Sequence, residues 1–80
     1  MNTNTIINKL LYALMLKEDI LAIDIEQIYS PDKKRYFKRY TLREVIEGKK
    51  QYKDYILRTY KPVEVIQFLA ARLNNENTDQ

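Results

Sequence analysis

The stretch that decides the fold is Tyr29–Lys61, which reads Y-S-P-D-K-K-R-Y-F-K-R-Y-T-L-R-E-V-I-E-G-K-K-Q-Y-K-D-Y-I-L-R-T-Y-K. It contains eleven of the 14 basic residues of the chain but only four of its 11 acidic ones, so its positive charge exceeds the formal +3 of the whole molecule. Six of the 7 tyrosines, together with Phe37, are interleaved with these charges. This combination of cations and aromatic rings points to an anionic partner, either nucleic acid or an acidic protein surface.

The rest of the composition restricts the class of protein. A chain of 80 residues forms one domain, which we place at residues 1–74, followed by a polar, disordered tail at 75–80. Cysteine and histidine are absent, which removes disulfides, thiolate metal sites and the commonest general base. The single glycine, Gly48, cannot build a glycine-rich phosphate loop. We therefore expect a cytoplasmic, non-enzymatic protein without catalytic residues, metal or cofactor.

The first predicted element is an apolar helix. Thr3–Thr5 offers three competent N-caps, and apolar residues then recur at three- and four-residue spacing as far as Leu16. Glu18 and Asp19 mark the end of the helix, because negative charge is unfavourable there. Polar residues interrupt the apolar run, so we expect no membrane span. Apolar side chains occupy more than one face, which favours a partner interface or a homodimer contact unless the helix is covered on both sides. The residues predicted for this interface are Ile6, Leu10, Ala13 and Leu14.

A β-hairpin is predicted next. From Ile20 the apolar residues alternate with polar ones, as in a half-buried strand, and Ser30-Pro31-Asp32-Lys33 is typical of a tight turn. A second strand, about residues 34–42, returns antiparallel with Ser30 facing Lys33. The cross-strand pairs predicted by this register are Leu21 with Leu42, Ile23 with Tyr40, Gln27 with Tyr36, and Asp24 with Arg39. Tyr36, Tyr40 and Leu42 then belong to the core face, while Asp24 and Arg39 form an ion pair on the other face.

Residues 42–60 are compatible with two structures. Thr41-Leu42-Arg43-Glu44 fits a helical capping box, whereas the Tyr, Ile and Thr content of 52–60 suits a strand. We favour the strand, because a two-stranded ribbon alone is only marginally stable. Pro62 then opens a last helix. The predicted fold is α+β, helix-strand-strand-strand-helix, with both helices on one face of a three-stranded antiparallel sheet. The alternative is a hairpin followed by mostly helical residues 42–74.

The order of these elements resembles a known kind of protein. An apolar first helix, a Tyr-rich basic hairpin, a third strand ending in R-T-Y-K and then P-V-E-V-I-Q-F-L-A-A-R-L resemble small accessory proteins encoded by phages and mobile elements of AT-rich Gram-positive bacteria. The resemblance covers about residues 6–74 and includes no diagnostic functional motif. It implies an accessory role, such as regulating, inhibiting or recruiting the machinery of replication, transcription or defence.

The strongest candidate site is the outward face of the basic hairpin and third strand. Lysine and arginine neutralise phosphates, and exposed rings can stack on unpaired bases. The residues predicted to bind nucleic acid or an acidic partner are Arg35, Phe37, Lys38, Arg39, Arg43, Lys53 and Arg58. The alternative is that the rings pack in the core and the lysines only solvate a sheet edge. Asp24 and Glu26 fit a cross-strand ion pair better than a metal site, for which a third ligand is lacking.

Three functions follow from these features. We expect a regulatory protein that binds nucleic acid through the basic and aromatic hairpin face, with contacts mainly to phosphate and little sequence preference. The second hypothesis is a regulator or antagonist that binds a host or phage protein through the first helix or the hairpin. The third is a homodimeric structural subunit.

Overall fold

The computed structural model describes residues 2–45 and 52–78, with side chains described as far as Val45 and from Asp54 to Asn75. Its elements, in chain order, are α1 (Thr3–Leu16), β1 (Leu21–Ser30), β2 (Arg35–Val45), β3 (Tyr52–Thr59) and α2 (Pro62–Thr78). The three strands form one antiparallel sheet in the order β1-β2-β3. The predicted α+β fold is confirmed, and so is the strand rather than the helix for the region after Gln51.

The start of α1 lies one residue earlier than predicted. Asn2 is the N-cap, and its side-chain oxygen accepts a hydrogen bond of 2.8 Å from the backbone N–H of Thr5. The hydroxyl of Thr5 donates to the same oxygen at 3.0 Å. Asn is among the best capping residues, and Thr5 is more useful as a donor in the first turn than as the cap itself. The predicted caps at Thr3–Thr5 therefore lie inside the helix.

The end of α1 is a Schellman motif without glycine. The N–H of Asp19 bonds the carbonyl of Leu14 at 3.0 Å, and that of Glu18 bonds the carbonyl of Met15 at 2.9 Å. This pattern requires a left-handed residue just after the helix, and Glu18 has φ of 64°. A left-handed conformation costs a non-glycine residue about 1–2 kcal/mol. The helix therefore ends where predicted. The left-handed backbone of Glu18 terminates it, in addition to the unfavourable negative charge at its end.

We expect Glu18→Gly to stabilise the protein. Glycine removes the steric cost of the left-handed conformation, which outweighs its larger loss of backbone entropy and leaves a gain of about 1 kcal/mol. For a domain of this size that gain raises the melting temperature by about 4–8 °C. Thermal unfolding followed by circular dichroism measures it. Glu18→Ala is the control, because it removes the charge and keeps the strain. Equal melting temperatures for the two variants would contradict this assignment.

The hairpin between β1 and β2 has a longer turn than predicted, and this shifts its register. Ser30 pairs with Arg35, so four residues, Pro31 to Lys34, form the loop. The Ser30 hydroxyl accepts from the N–H of Lys33, and Lys34 closes the loop with φ of 52°. The observed partners are Leu21 with Glu44, Ile23 with Leu42, Asp24 with Thr41, Ile25 with Tyr40, Glu26 with Arg39, Gln27 with Lys38 and Tyr29 with Tyr36.

The predicted cross-strand pairs are therefore wrong by two residues, but each residue lies on the predicted face of the sheet. A shift of two keeps every side chain on the same face of the sheet. Asp24 consequently lies opposite Thr41 rather than Arg39, and Tyr36 lies opposite Tyr29 rather than Gln27. The physical reason is the turn: the left-handed residue is Lys34, two positions later than a turn centred on Pro31-Asp32 requires.

The third strand joins β2 with irregular spacing. Leu42 pairs with Leu57, whereas Arg43 pairs with Tyr55, so Ile56 is an extra residue on β3. Residues from Thr41 to Val45 continue β2, and the helical capping box predicted as an alternative is not adopted. The connection between β2 and β3, which includes Gly48, lies outside the described residues.

The core lies between the sheet and both helices. Leu42 on β2 is completely buried, with a relative exposure of 0%, and Tyr40 retains 4%. Ile7 and Leu14 of α1 and Val65 and Leu69 of α2 complete the cluster with Leu21 of β1. Since Leu21, Tyr40 and Leu42 share one face of the sheet, both helices pack on that face, as predicted.

An ion pair that the sequence pattern does not reveal connects the segment after α1 to α2. The guanidinium of Arg72 on α2 donates two hydrogen bonds to the carboxylate of Asp19, at 2.5 and 3.0 Å. Glu44 lies 3.9 Å from the same guanidinium. The side chain of Asp19 is mostly buried, so removing either partner would leave a poorly solvated charge. This contact anchors the segment after α1 to α2 and to the end of β2.

The last helix begins as predicted and ends later. Pro62 is its first residue, and Glu64 in its first turn accepts a hydrogen bond from the hydroxyl of Thr59. Helical backbone continues to Thr78, through most of the segment for which a disordered tail is predicted. No glycine or proline follows Pro62, and a formed helix adds residues at little cost until one of these intervenes.

Candidate nucleic-acid interface

The face of the sheet opposite the helices carries the basic and aromatic residues. We call it the open face, because within the described residues no helix or strand covers it. Alternation along β2 places Arg39, Thr41 and Arg43 there, between the core residues Tyr40 and Leu42. Among the residues whose side chains the structure describes, the basic and aromatic ones on this face include Lys33, Arg35, Phe37, Arg39, Arg43, Tyr55, Arg58 and Tyr60.

One of the predicted binding residues, Lys38, does not belong to this set. Lys38 lies opposite Gln27 on the helix side of the hairpin, at a level that the helices do not reach. Lys53 is in β3, and its side chain lies outside the described part of the structure. The prediction included Lys38 for its charge, although neighbouring residues of a strand point to opposite faces.

The prediction for Tyr36 also needs correction, since this side chain is not in the core. It is 65% exposed and packs edge to face on Tyr29 of β1, with ring centroids 5.1 Å apart. Both rings lie on the helix side, but near the tip of the hairpin and beyond the helices. Tyr40, by contrast, is buried as predicted.

Two arginines of the open face are already paired with carboxylates of β1. Arg39 donates to Glu26 at 2.9 Å, and Arg43 donates to Asp24 at 2.6 Å. The ion pair predicted between Asp24 and Arg39 is therefore replaced by two pairs. Glu26 lies directly opposite Arg39, whereas Asp24 reaches Arg43 diagonally, because its direct partner is Thr41. Such exposed pairs contribute little to stability, but they reduce the charge available to a ligand.

Arg58 and Tyr55 form a second kind of contact on β3. The guanidinium of Arg58 lies 4.2 Å from the centroid of the Tyr55 ring, and its Nε donates to the hydroxyl of Thr41 at 3.2 Å. Thr41 is buried although it points to the open face, because Arg58 covers it. The guanidinium is thus held flat against the sheet, with an exposed tyrosine beneath it.

The part of the open face nearest the hairpin turn is centred on Phe37. The guanidinium of Arg35 lies 4.8 Å and the ammonium of Lys33 5.4 Å from the centroid of its ring. Phe37 is half-buried rather than exposed, which differs from the prediction. Two cations packed on one ring place positive charge at the tip of the hairpin. Within the described residues, no acidic side chain forms an ion pair with Arg35.

The ion pair between Glu26 and Arg39 shifts the pKa of both side chains. The hydrogen bond from Arg39 stabilises the ionised carboxylate and holds the pKa of Glu26 below its ordinary value of 4.5. The same hydrogen bond raises the pKa of Arg39. Because the pKa of Glu26 is lower in the folded state, the pair stabilises the fold fully above pH 4.5. That contribution disappears as the pH falls through the lower, folded-state value.

We therefore expect Arg39→Gln to raise the pKa of Glu26 toward 4.5. The substitution removes the donor that stabilises the carboxylate. A pH titration of the side-chain carboxyl carbon by NMR measures the pKa in the two proteins. Arg35→Gln is the matched control, since Arg35 pairs with Ser30 of β1 at the end of the hairpin and not with Glu26. The same pKa in all three proteins would show that the ion pair does not form in solution.

The predicted interface on α1 is only partly on the surface. Leu14 is fully buried in the core, and Ile6, Leu10 and Ala13 are half-buried. The exposed apolar residues near this helix are different from the four predicted for the interface. They are Tyr12, Met15, Leu16 and Ile20. Helical spacing could have separated them, because residues 12, 15 and 16 lie on the side away from residues 7 and 14.

Comparison with known proteins identifies no relative of this chain. No protein-family model matches the sequence, and searches of curated proteins and of solved structures likewise give no match. The likeness to phage and mobile-element accessory proteins stays a prediction. In the described part of the chain, neither helix has the length and apolar character needed to cross a membrane. The same residues contain no group of three or more acidic side chains placed to hold a metal ion.

Proposed function

We propose that the protein is a non-enzymatic accessory protein of the cytoplasm that binds nucleic acid through the open face. One observation carries the proposal. A sheet face that no described helix covers combines arginines with exposed aromatic rings, of which Tyr55 is 49% and Tyr60 54% exposed. Cations supply attraction to phosphates, and rings on a sheet supply surfaces on which bases stack.

The arginines of the open face differ in how readily they can contact phosphate. Within the described residues, Arg35 and Arg58 form no ion pair, so their charge is available at once. Arg39 and Arg43 must first exchange a carboxylate for a phosphate. Phosphate contacts of this kind position a strand without reading its sequence. We therefore propose binding with little sequence preference that weakens steeply with salt.

Replacing Arg35 with Gln should weaken binding several-fold at low salt. It should also reduce the slope of log Kd against log salt by about one phosphate contact, because one cation no longer releases a counterion. Fluorescence anisotropy with a labelled oligonucleotide, measured over a range of salt concentrations, gives both quantities. Lys9→Gln is the matched control: it removes the same charge from an exposed position on α1.

Two outcomes would overturn the proposal. The first is an absence of binding by the unmodified chain, to single- and double-stranded oligonucleotides alike, at low salt. The second is an equal loss of affinity in the Arg35 and Lys9 variants, which would indicate a response to net charge without a defined binding face.

The apolar patch of Tyr12, Met15, Leu16 and Ile20 favours a second candidate function, a protein-binding regulator or antagonist. All four side chains are exposed, Met15 and Ile20 line one surface cleft, and exposed apolar patches on a small domain often mark a partner site. The same patch would serve the third hypothesis, a homodimer.

For this second candidate we expect one stoichiometric protein to remain bound to the tagged chain after a host lysate is treated with nuclease. Leu16→Ser should abolish that capture, because it replaces the most exposed apolar side chain of the patch with a hydroxyl, while Arg35→Gln should leave it unchanged. The mass of the purified chain in solution tests the homodimer separately. Capture that disappears with nuclease treatment would instead favour nucleic acid.

A further inference from the structure

A cleft lies on the open face near the hairpin turn, at the point where β3 ends and only β1 and β2 continue. It is lined by Ile28, Ser30, Lys33, Phe37 and Tyr60, and its volume is about 310 Å³. Ile28 and Phe37 are direct cross-strand partners and form its apolar floor. Tyr60 stands at the end of β3 and forms the opposite wall. Lys33 and Ser30, from the turn, supply the polar rim.

The lining determines which chemical group suits the cleft. Its volume is at the lower end of the range of about 300–1,000 Å³ that small-molecule sites occupy, so it accommodates one planar ring system rather than an extended cofactor. The Phe37 ring already carries two cations, Arg35 and Lys33. The Tyr60 ring is more than half exposed and is the surface available for stacking. The cleft therefore offers an aromatic wall, an apolar floor and a cationic rim.

We infer that this cleft receives one unpaired nucleobase of a single strand, stacked on Tyr60, with the neighbouring phosphate on Lys33 and Arg35. The inference rests on the proposed function and specifies its substrate: a base inside a duplex is already stacked and paired, and so cannot enter. A strand, rather than a free nucleotide, is the ligand, because the cations extend beyond the cleft along the open face to Arg58 and contact further phosphates.

The test compares two single strands of roughly 10 nucleotides, a length within the site sizes of small single-strand binders. One is oligothymidylate, and the other has the same phosphates but abasic sugars throughout. The full chain should bind oligothymidylate more tightly than the abasic strand. Tyr60→Leu should weaken binding of oligothymidylate about tenfold, within the range that stacking of one base supplies, and should leave binding of the abasic strand unchanged.

Three variants define the contribution of the ring. Tyr60→Phe keeps the stacking surface and removes the hydroxyl, so it should bind oligothymidylate like the unmodified chain. Phe37→Leu changes the floor of the cleft and should also weaken binding of oligothymidylate alone. Tyr29→Leu is the matched control, because Tyr29 is an exposed tyrosine of the same hairpin on the other face. Circular dichroism of each variant verifies that the fold is retained.

The outcomes separate this inference from the proposed function. Equal affinity for the oligothymidylate and abasic strands, with binding that still weakens with salt, would overturn the base site and leave phosphate binding intact. Tighter binding of a mononucleotide than of the strand would overturn the choice of ligand. An equal effect of Tyr29→Leu and Tyr60→Leu would overturn the assignment to this cleft. Absence of all binding would overturn both proposals.

Discussion

The burial of Leu42 is the contact on which the structure depends. Leu42 lies on the central strand, between Ile23 of β1 and Leu57 of β3, and it has no exposure to solvent. It belongs to the cluster to which α1 and α2 contribute their buried residues. Once Leu42 and Tyr40 face the helices, the pleat of β2 turns Arg39, Thr41 and Arg43 to the other side. The position of the core and the position of the arginines are therefore one constraint, and they cannot be changed independently.

Much of this arrangement could be predicted from sequence, because it depends on periodicity. The order of elements, the strand at 52–59 and the parity of the hairpin all follow from patterns of three to four residues or of two. Register could not be obtained in this way. Two registers that differ by two residues bury the same face, and the choice between them was made by the backbone of a single residue, Lys34. The Asp19–Arg72 pair was equally hidden, since it joins residues 53 positions apart.

In the candidate site, too, features within one strand could be predicted, whereas features that depend on pairing between strands could not. Alternation along β2 correctly placed Arg35, Phe37, Arg39 and Arg43 on one face. Tyr60 was not predicted, because it reaches that face only through the pairing of β3 with β2, whose spacing is altered at Ile56. Lys38 was included for its charge, although its parity already assigned it to the opposite side. The neutralisation of Arg39 by Glu26 could not be inferred without the register.

The hairpin extends well beyond the helices, and this has a consequence for how the sequence can change. The molecule measures 48 Å in its longest direction and 17 Å in its shortest, and near the hairpin tip Tyr29 and Tyr36 are both largely exposed. Substitutions at such exposed positions usually alter folding free energy by less than about 0.5 kcal/mol. Tyr29 and Tyr36, on the helix side of the tip, can therefore be replaced at little cost to folding. They are suitable positions for attaching a reporter group, because a label there leaves Lys33 and Phe37 on the open face unchanged.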